Sequence, residues 1–267
     1  MRRNKAALLS LLFMISFSCS KIIFPQDKDD FRTIVNNAFK VGEKLTFDLK
    51  YGFVTAGVSV MQVRDVRKIF GRPTYHITFE VNSVPSFDWI YKVRDRYETY
   101  VDTQGIFPWR FEQHIREGSY SRDFSAFFDQ KRMKAKTSEG TYDIPRYVND
   151  IVSAFYLART FDYSKMKKGE LIHLQNFYNH KYYDLDIKYI GKEVVEAPAG
   201  KFNCIIVEPI IKRGELFKSE GSMYVWLSDD VLKIPVRVKT KIVVGSVDAY
   251  LSSYQGLAGK PAAKISD

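Results

Sequence analysis

The sequence predicts an all-β protein with one central helix: a large curved antiparallel sheet in the form of a half-barrel or open barrel. Three observations carry this reading. Apolar and polar residues alternate through 45–51, 75–81 and 183–189, the pattern of strands with one face in water. Turn formers separate such runs at short intervals, as in a meander. Only around 150–160 does the apolar period change to that of a helix.

Taken in order, further strands are expected at 57–67, 92–102, 106–117, 120–129, 131–137, 171–178, 201–211, 219–228, 231–241 and 243–252. The turns between them are marked by Gly71-Arg72-Pro73, Asp102-Thr103-Gln104-Gly105, Glu117-Gly118-Ser119, Glu139-Gly140, Ala197-Pro198-Ala199-Gly200 and Ser228-Asp229-Asp230. The helix has Asn149 or Asp150 as its cap, Ile151, Ala154, Phe155 and Ala158 on one face, and Arg159 in its last turn. It divides the chain into strand-rich halves, 40–145 and 165–255. The connection is helical and partly apolar rather than a Gly/Ser/Pro linker, so one curved sheet is expected in preference to two modules. The helix is expected to cross the concave side or plug one end.

The first residues have the form of an export signal. Arg2, Arg3 and Lys5 precede an apolar run from Ala6 to Phe17, followed by small residues at Ser18 and Ser20. The run is too short to span a bilayer comfortably. Two endings fit. Cys19 stands where a bacterial lipoprotein carries the cysteine that becomes acylated, and Ser-x-Ser also serves a peptidase that requires small residues. Residues 1–20 are thus read as signal, 21–39 as a polar leader, 40–253 as one β-rich domain and 254–267 as a flexible tail.

Formal charge is +10, from 41 Lys and Arg against 31 Asp and Glu. Three cations and no acid leave with the signal, which brings the exported chain to +7. The charge is scattered apart from Lys165, Lys167 and Lys168, so no nucleic-acid partner is expected. Only Cys19 and Cys204 occur; Cys204 lies in an apolar strand and reads as a small buried hydrophobe. The four histidines, at 76, 114, 173 and 180, lack metal-ligand spacing, and there is no nucleophile elbow, phosphate loop or dinucleotide fingerprint. Neither metal nor cofactor is expected, and no catalytic residue is assigned. Asp229-Asp230 reads as a turn, and 94–98, with alternating charge, as a cross-strand ion-pair ladder.

Aromatics make up 15% of the chain and gather near turns, at Phe87-Asp88-Trp89-Ile90-Tyr91, Phe107-Pro108-Trp109 and Phe177-Tyr178. Rings at the mouth of a curved sheet suit apolar or sugar ligands, and Trp89, Tyr91, Trp109 and Tyr178 are the ligand-binding candidates. The plainer account is that aromatics are good strand residues.

The ordered series Gly42-Glu43-Lys44-Leu45-Thr46-Phe47, Ala56-Gly57, 91–102, 150–159, 198–204, 220–230, Ile234-Pro235-Val236 and Gly245-Ser246-Val247 resembles the family known as domain of unknown function 3108, over about residues 40–253. The resemblance implies an exported, mostly Gram-negative envelope protein with a large curved sheet, in the periplasm or at the outer membrane, and brings no catalytic residues. Three functional classes follow. The first is a non-enzymatic protein binding a lipid-like or glycan ligand in its concavity, with a lipid anchor at Cys19 as the link to the membrane. The second is a structural or assembly protein with an envelope protein partner. The third is an enzyme of cell-wall or polysaccharide substrates acting through Asp95 or Asp229-Asp230.

Overall fold

The chain runs as two meanders that share one sheet. In the computed structural model, which describes residues 31–211, 223–241 and 245–266, the first meander comprises β1 (Lys44–Tyr51), β2 (Val54–Ile69), β3 (Arg72–Ser83), β4 (Arg94–Asp102), β5 (Pro108–Glu117), β6 (Tyr120–Asp129), β7 (Lys134–Thr137) and β8 (Gly140–Asp143). A short helix, α1 (Pro85–Asp88), interrupts it between β3 and β4. After α2 (Ile151–Ala158) the second meander comprises β9 (Leu171–Tyr178), β10 (Lys181–Ala197), β11 (Gly200–Ile211), β12 (Met223–Ser228), β13 (Pro235–Lys241) and β14 (Ser246–Gln255). Pairing of β14 with β1 fuses the two into an antiparallel sheet of 14 strands, with β8 and β9 as its edges. The sheet does not close into a barrel.

Most strand positions follow the alternation, and the differences have local causes. The strand expected from 106 starts at Pro108, because Ile106 has φ 48° and the Asp102 carboxylate collects the Gln104 and Gly105 amides into a loop. The strand expected from 131 starts at Lys134, because Asp129 binds the Lys131 and Arg132 amides and Met133 has φ 55°. The strand expected from 231 starts at Pro235, after a turn in which Asp230 accepts from the Leu232 amide at 3.0 Å and from Ser228 Oγ at 2.8 Å. Asp229-Asp230 is thus turn structure. Run 183–189 is only the middle of the 17-residue β10, which continues through an irregularity between Tyr189 and Gly191. Short β8 and α1 carry no periodic signal and were not expected.

The gap between the edges is bridged by the segment before α2. Asn149 makes a parallel bridge to β9, donating to Gln175 O at 2.8 Å and accepting from Phe177 N at 2.7 Å. Gln130 ties the same segment to the first meander, accepting from Tyr147 N at 2.7 Å and donating to Pro108 O at 2.9 Å. Edge strands with unpaired backbone invite association, and this segment covers part of one. Side chains complete the seam: Arg122 donates to Asn179 at 2.8 Å, and Tyr142 packs against Phe177 and His180.

Helix α2 lies on the concave side. Asp150 caps it, accepting from Val152 N at 2.8 Å, Ser153 N at 2.9 Å and, from the sheet, Thr99 Oγ1 at 2.6 Å. At its other end fully buried Arg159 donates to both carboxylate oxygens of Glu43, at 2.6 and 2.9 Å, and to the carbonyls of Ala38 and Leu232, each at 3.1 Å. Burial works to lower the guanidinium pKa, but the facing Glu43 carboxylate prevails and holds it above its ordinary value. Phe39, Tyr156 and Leu232 pack around this pair and shut one end of the structure.

Residues 32–39 and 256–266 join that closed end, although the sequence reads as polar leader and flexible tail there; residues 21–30 of the expected leader lie outside the described residues. The described residues from Arg32 onward belong to one compact unit. Arg32 donates to Gly105 O and Ile106 O at 2.8 and 2.9 Å, and Ala38 and Phe39 are buried. Beyond Gln255, Lys264 bridges to Phe202, and Ala263 N donates to Asp230 at 2.9 Å. Gly256, at φ 67°, is required there, since a Cβ would stand 1.9 Å from Gly42 O. The tail lacks apolar periodicity, and it docks through backbone bonds together with single contacts of Leu257, Ala258 and Ala263 that make no periodic pattern.

Removing one partner of a buried ion pair strands the other charge, which costs about 3–5 kcal/mol. Arg159→Met is expected to lose about that much in urea unfolding, and adding Glu43→Leu to recover most of it. Equal destabilisation of the single and double variants would show that the aromatic packing, not the pair, holds this end.

Candidate functional site

Alternation along β1 to β4 puts Phe47, Leu49, Met61, Phe79, Val81 and Tyr97 on the concave face, and β12 to β14 add Val225, Val238, Val247 and Ala249. A sheet of 14 strands presents more inner surface than an eight-residue helix, about 12 Å long, can cover. What α2 leaves uncovered is an apolar trough. One compartment of about 310 Å³ lies between these residues and the Ile151 and Phe155 side chains. A smaller one of about 120 Å³ lies on the other flank of α2, against Tyr178, Tyr183, Leu185, Val207 and Leu227. A third, of about 650 Å³, extends toward α1 and is lined by Tyr51, Phe87, Ile90, Tyr91, Asp95 and Glu117. Leu49, Val81 and Val247 are shared by the first and third compartments, and Ile151, Phe155, Met223 and Val225 by the first and second. The expected helix face of Ile151, Ala154, Phe155 and Ala158 therefore lines the trough together with Val152, while Ser153, Tyr156 and Leu157 are buried away from it.

Polar groups in the trough are few and neutralised. Tyr183 and Asn176 hydrogen-bond each other at 2.8 Å. Burial pushes the Tyr183 phenol up to about 12, and burial with the nearby Asp95 charge does the same to Tyr97, so both stay protonated at any physiological pH. The exception is the α1 end. Asp95 is 5% exposed and accepts from the Arg116 amide at 2.9 Å, with Glu117 beside it. Burial, then the Asp95 charge, raises the Glu117 carboxyl above its ordinary value, and the neighbouring Tyr91 hydroxyl opposes the shift.

The four expected ligand-binding aromatics are not gathered together. Tyr91 and Tyr178 line different compartments of the trough. Trp89, 81% exposed, stands outside at the α1 rim. Trp109 is 4% exposed, donates its indole N–H to Asp102 at 3.0 Å and packs against Phe70 and Phe107, a structural use of its polar edge. Arg72 joins Trp109 on Asp102; burial favours the neutral acid, but these donors and two amides hold the carboxyl below its usual range. Asp95 does not belong to the ion-pair ladder, since it points to the concave side. Its even-numbered neighbours make ion pairs that are not a cross-strand ladder, Arg94 with Asp88 of α1 and Arg96 with Glu98 of its own strand, and the contact across to β3 is His76 on Glu98 at 2.6 Å. Cys19 lies outside the described residues. The trough's aliphatic lining was overlooked because alternation identifies an inward face without telling a filled core from a hollow one.

The architecture defines a class: an open antiparallel β-meander whose concave face is apolar and only partly covered. The sequence pattern of the family described as protein of unknown function (DUF3108) matches residues 46–252, and the chain belongs to that family. No curated protein matches it. Among solved structures, a beta-barrel-like protein of domain of unknown function DUF1849 from Brucella abortus is similar at 9% identity and TM-score 0.51, covering 84% of this chain and 98% of that one. A lipoprotein candidate from Parabacteroides distasonis gives 15% identity and TM-score 0.39, with 84% and 99% covered. An exported-protein candidate with a YmcC-like fold from Bacteroides fragilis gives 12% identity and TM-score 0.35, with 84% and 100% covered. These likenesses concern the fold.

Two measurements probe the site's electrostatics. A carboxyl with a raised folded-state pKa penalises the fold once it ionises, so the Glu117 penalty is absent below the ordinary glutamate value of about 4.3 and complete above the raised one. Glu117→Gln is therefore expected to raise the urea midpoint at pH 7 and to leave it unchanged near pH 4; a lower midpoint at pH 7 would contradict the assignment. Burial pushes the Cys204 thiol up to about 12, so it is expected to resist a thiol reagent at pH 8 until the chain is unfolded.

Proposed function

We propose that this is an exported envelope protein that binds a lipid-like ligand, one with a long apolar body, in the trough of its sheet. The observation that carries the reading is the continuity of the apolar compartments across the concave face under and beside α2. Compartments of 310 and 650 Å³ fall within the range of small-molecule sites. Glycan binding has less support, because sugar hydroxyls need hydrogen-bonding partners and the side chains of the 310 Å³ compartment offer only the hydroxyls of Ser59, Tyr97 and Thr240. Export rests on the signal-like first 20 residues, and tethering rests on Cys19.

Native mass spectrometry of protein purified from its own envelope, with lipid extraction, tests both parts. A retained non-covalent lipid in wild type and in Cys19→Ala supports the trough, and a diacyl mass on wild type alone supports the tether. Affinity for a series of fatty alcohols is expected to rise about fourfold per methylene, the equivalent of about 0.8 kcal/mol for each CH₂ buried. Val81→Trp, at the junction of two compartments, is expected to weaken binding at least about tenfold. An empty native protein with no dependence on chain length would overturn the reading.

A further inference from the structure

The end of the trough opposite the Arg159–Glu43 plug carries the two most exposed large apolar side chains of the described residues, Phe53 and Trp89. Phe53, at the tip of the β1–β2 turn, is 106% exposed and Val54 58%. On the turn after α1, Trp89 is 81% and Ile90 56% exposed. The two projections belong to one rim. Val54 pairs with Tyr51, Val84 N donates to Ala56 O at 3.0 Å, and Tyr51, Ala56, Ile90 and Tyr91 all line the 650 Å³ compartment. Exposed apolar patches of this kind mark interaction sites.

Charge around the rim is positive where it faces outward. Lys92 and Lys241 are exposed and Lys50 is half-buried over the Tyr250 ring. Of the neighbouring acids, Asp88 is engaged by Arg94 at 2.6 Å and by Ser83, Asp248 by Arg237 at 2.6 Å and Asp95 by the Arg116 amide at 2.9 Å, while burial and the Asp95 charge bias the half-buried Glu117 at the mouth toward its neutral form. Projecting aromatic and aliphatic tips with lysines beside them suit the interfacial zone of a membrane, where rings sit at headgroup level and cations meet anionic lipid. A protein partner would be better served by a flat face than by an isolated, fully exposed knob such as Phe53.

We propose that this rim docks on the surface of an anionic lipid bilayer, with Phe53, Val54, Trp89 and Ile90 entering the interface and the mouth of the trough turned toward the lipid. The orientation, though not the docking itself, rests on the trough being a lipid site. Docking of this kind weakens with salt, because the lysine contribution is screened.

The chain supplies its own probe. Of the three tryptophans, Trp109 and Trp226 are 4% and 7% exposed, so a change in emission on adding vesicles reports Trp89. The exported protein, as Cys19→Ser so that no acyl chain provides the binding, is mixed with phosphatidylglycerol/phosphatidylethanolamine vesicles and with phosphatidylcholine vesicles. The expected result is a blue shift and protection from iodide with the anionic vesicles, absent in Trp89→Phe, and at least tenfold weaker co-sedimentation of the Phe53→Ser/Trp89→Ser variant. That variant is expected to bind a soluble fluorescent fatty alcohol as wild type does, which shows that it is folded and separates rim from trough. Vesicle binding without fatty-alcohol binding by wild type would retain the rim and remove the trough. No co-sedimentation of wild type, Trp89 equally quenched with and without vesicles, or a double variant that pellets as wild type does would overturn the proposal.

Discussion

The constraint on which the structure depends is the desolvated guanidinium of Arg159. A charge with no exposed surface is tolerable only if its donors are met, and here they meet a carboxylate at the start of β1, a carbonyl of the preceding segment and a carbonyl in the β12–β13 turn. Those partners lie 116, 121 and 73 residues away in sequence. One side chain thereby fixes where α2 ends, where β1 begins and how the second meander returns. Asp150 does the corresponding work at the other end of α2 through Thr99. A helix of only two turns has little stability of its own, so its position is set by these two anchors and by packing.

From that placement the trough follows. Two meanders joined by β1–β14 pairing make a sheet too broad for a single short helix to fill, and α2, held toward the plugged end, covers only part of the concave face. Wet apolar surface contributes nothing to folding, and each methylene left there forgoes about 0.8 kcal/mol of burial. A core built only for stability would have placed larger side chains at Val81, Ala249 or Val247, which stand where the compartments meet or widen. The unfilled volume is thus stability forgone, and the polar groups of the same face are paired or neutral except at the α1 end, where Asp95 and Glu117 stand together.

The sequence made the sheet legible because alternation reports directly on a pleated strand with one wet face, as in 45–51 and 120–129, and made α2 legible because Asp150 and the apolar period agree. Strand starts at Pro108, Lys134 and Pro235 were less legible. They depend on left-handed residues such as Ile106, Met133 and Lys233, whose conformation is imposed by neighbouring carboxylates rather than by their own preference. The site was the least legible part. Aromatics drew attention to Trp109, which serves Asp102, and away from Leu49, Val81 and Val247, whose significance is the space between them. Family membership, legible from the ordered motif series, agrees with the fold and is silent on what the trough holds.

The two ends of the molecule divide stability and interaction between them. At the plugged end the charged groups are satisfied within the chain: Arg159 by Glu43, Asp102 by Arg72 and Trp109, Asp230 by the Leu232 and Ala263 amides. Both the segment after Arg32 and the segment before Ile265 are recruited to that end. At the α1 end the balance reverses, with Phe53 and Trp89 in water and the Asp95 and Glu117 carboxyls crowded against an apolar cavity. Exposed rings and crowded carboxyls cost stability where they stand, whereas at the other end the buried charge of Arg159 is paired within the chain.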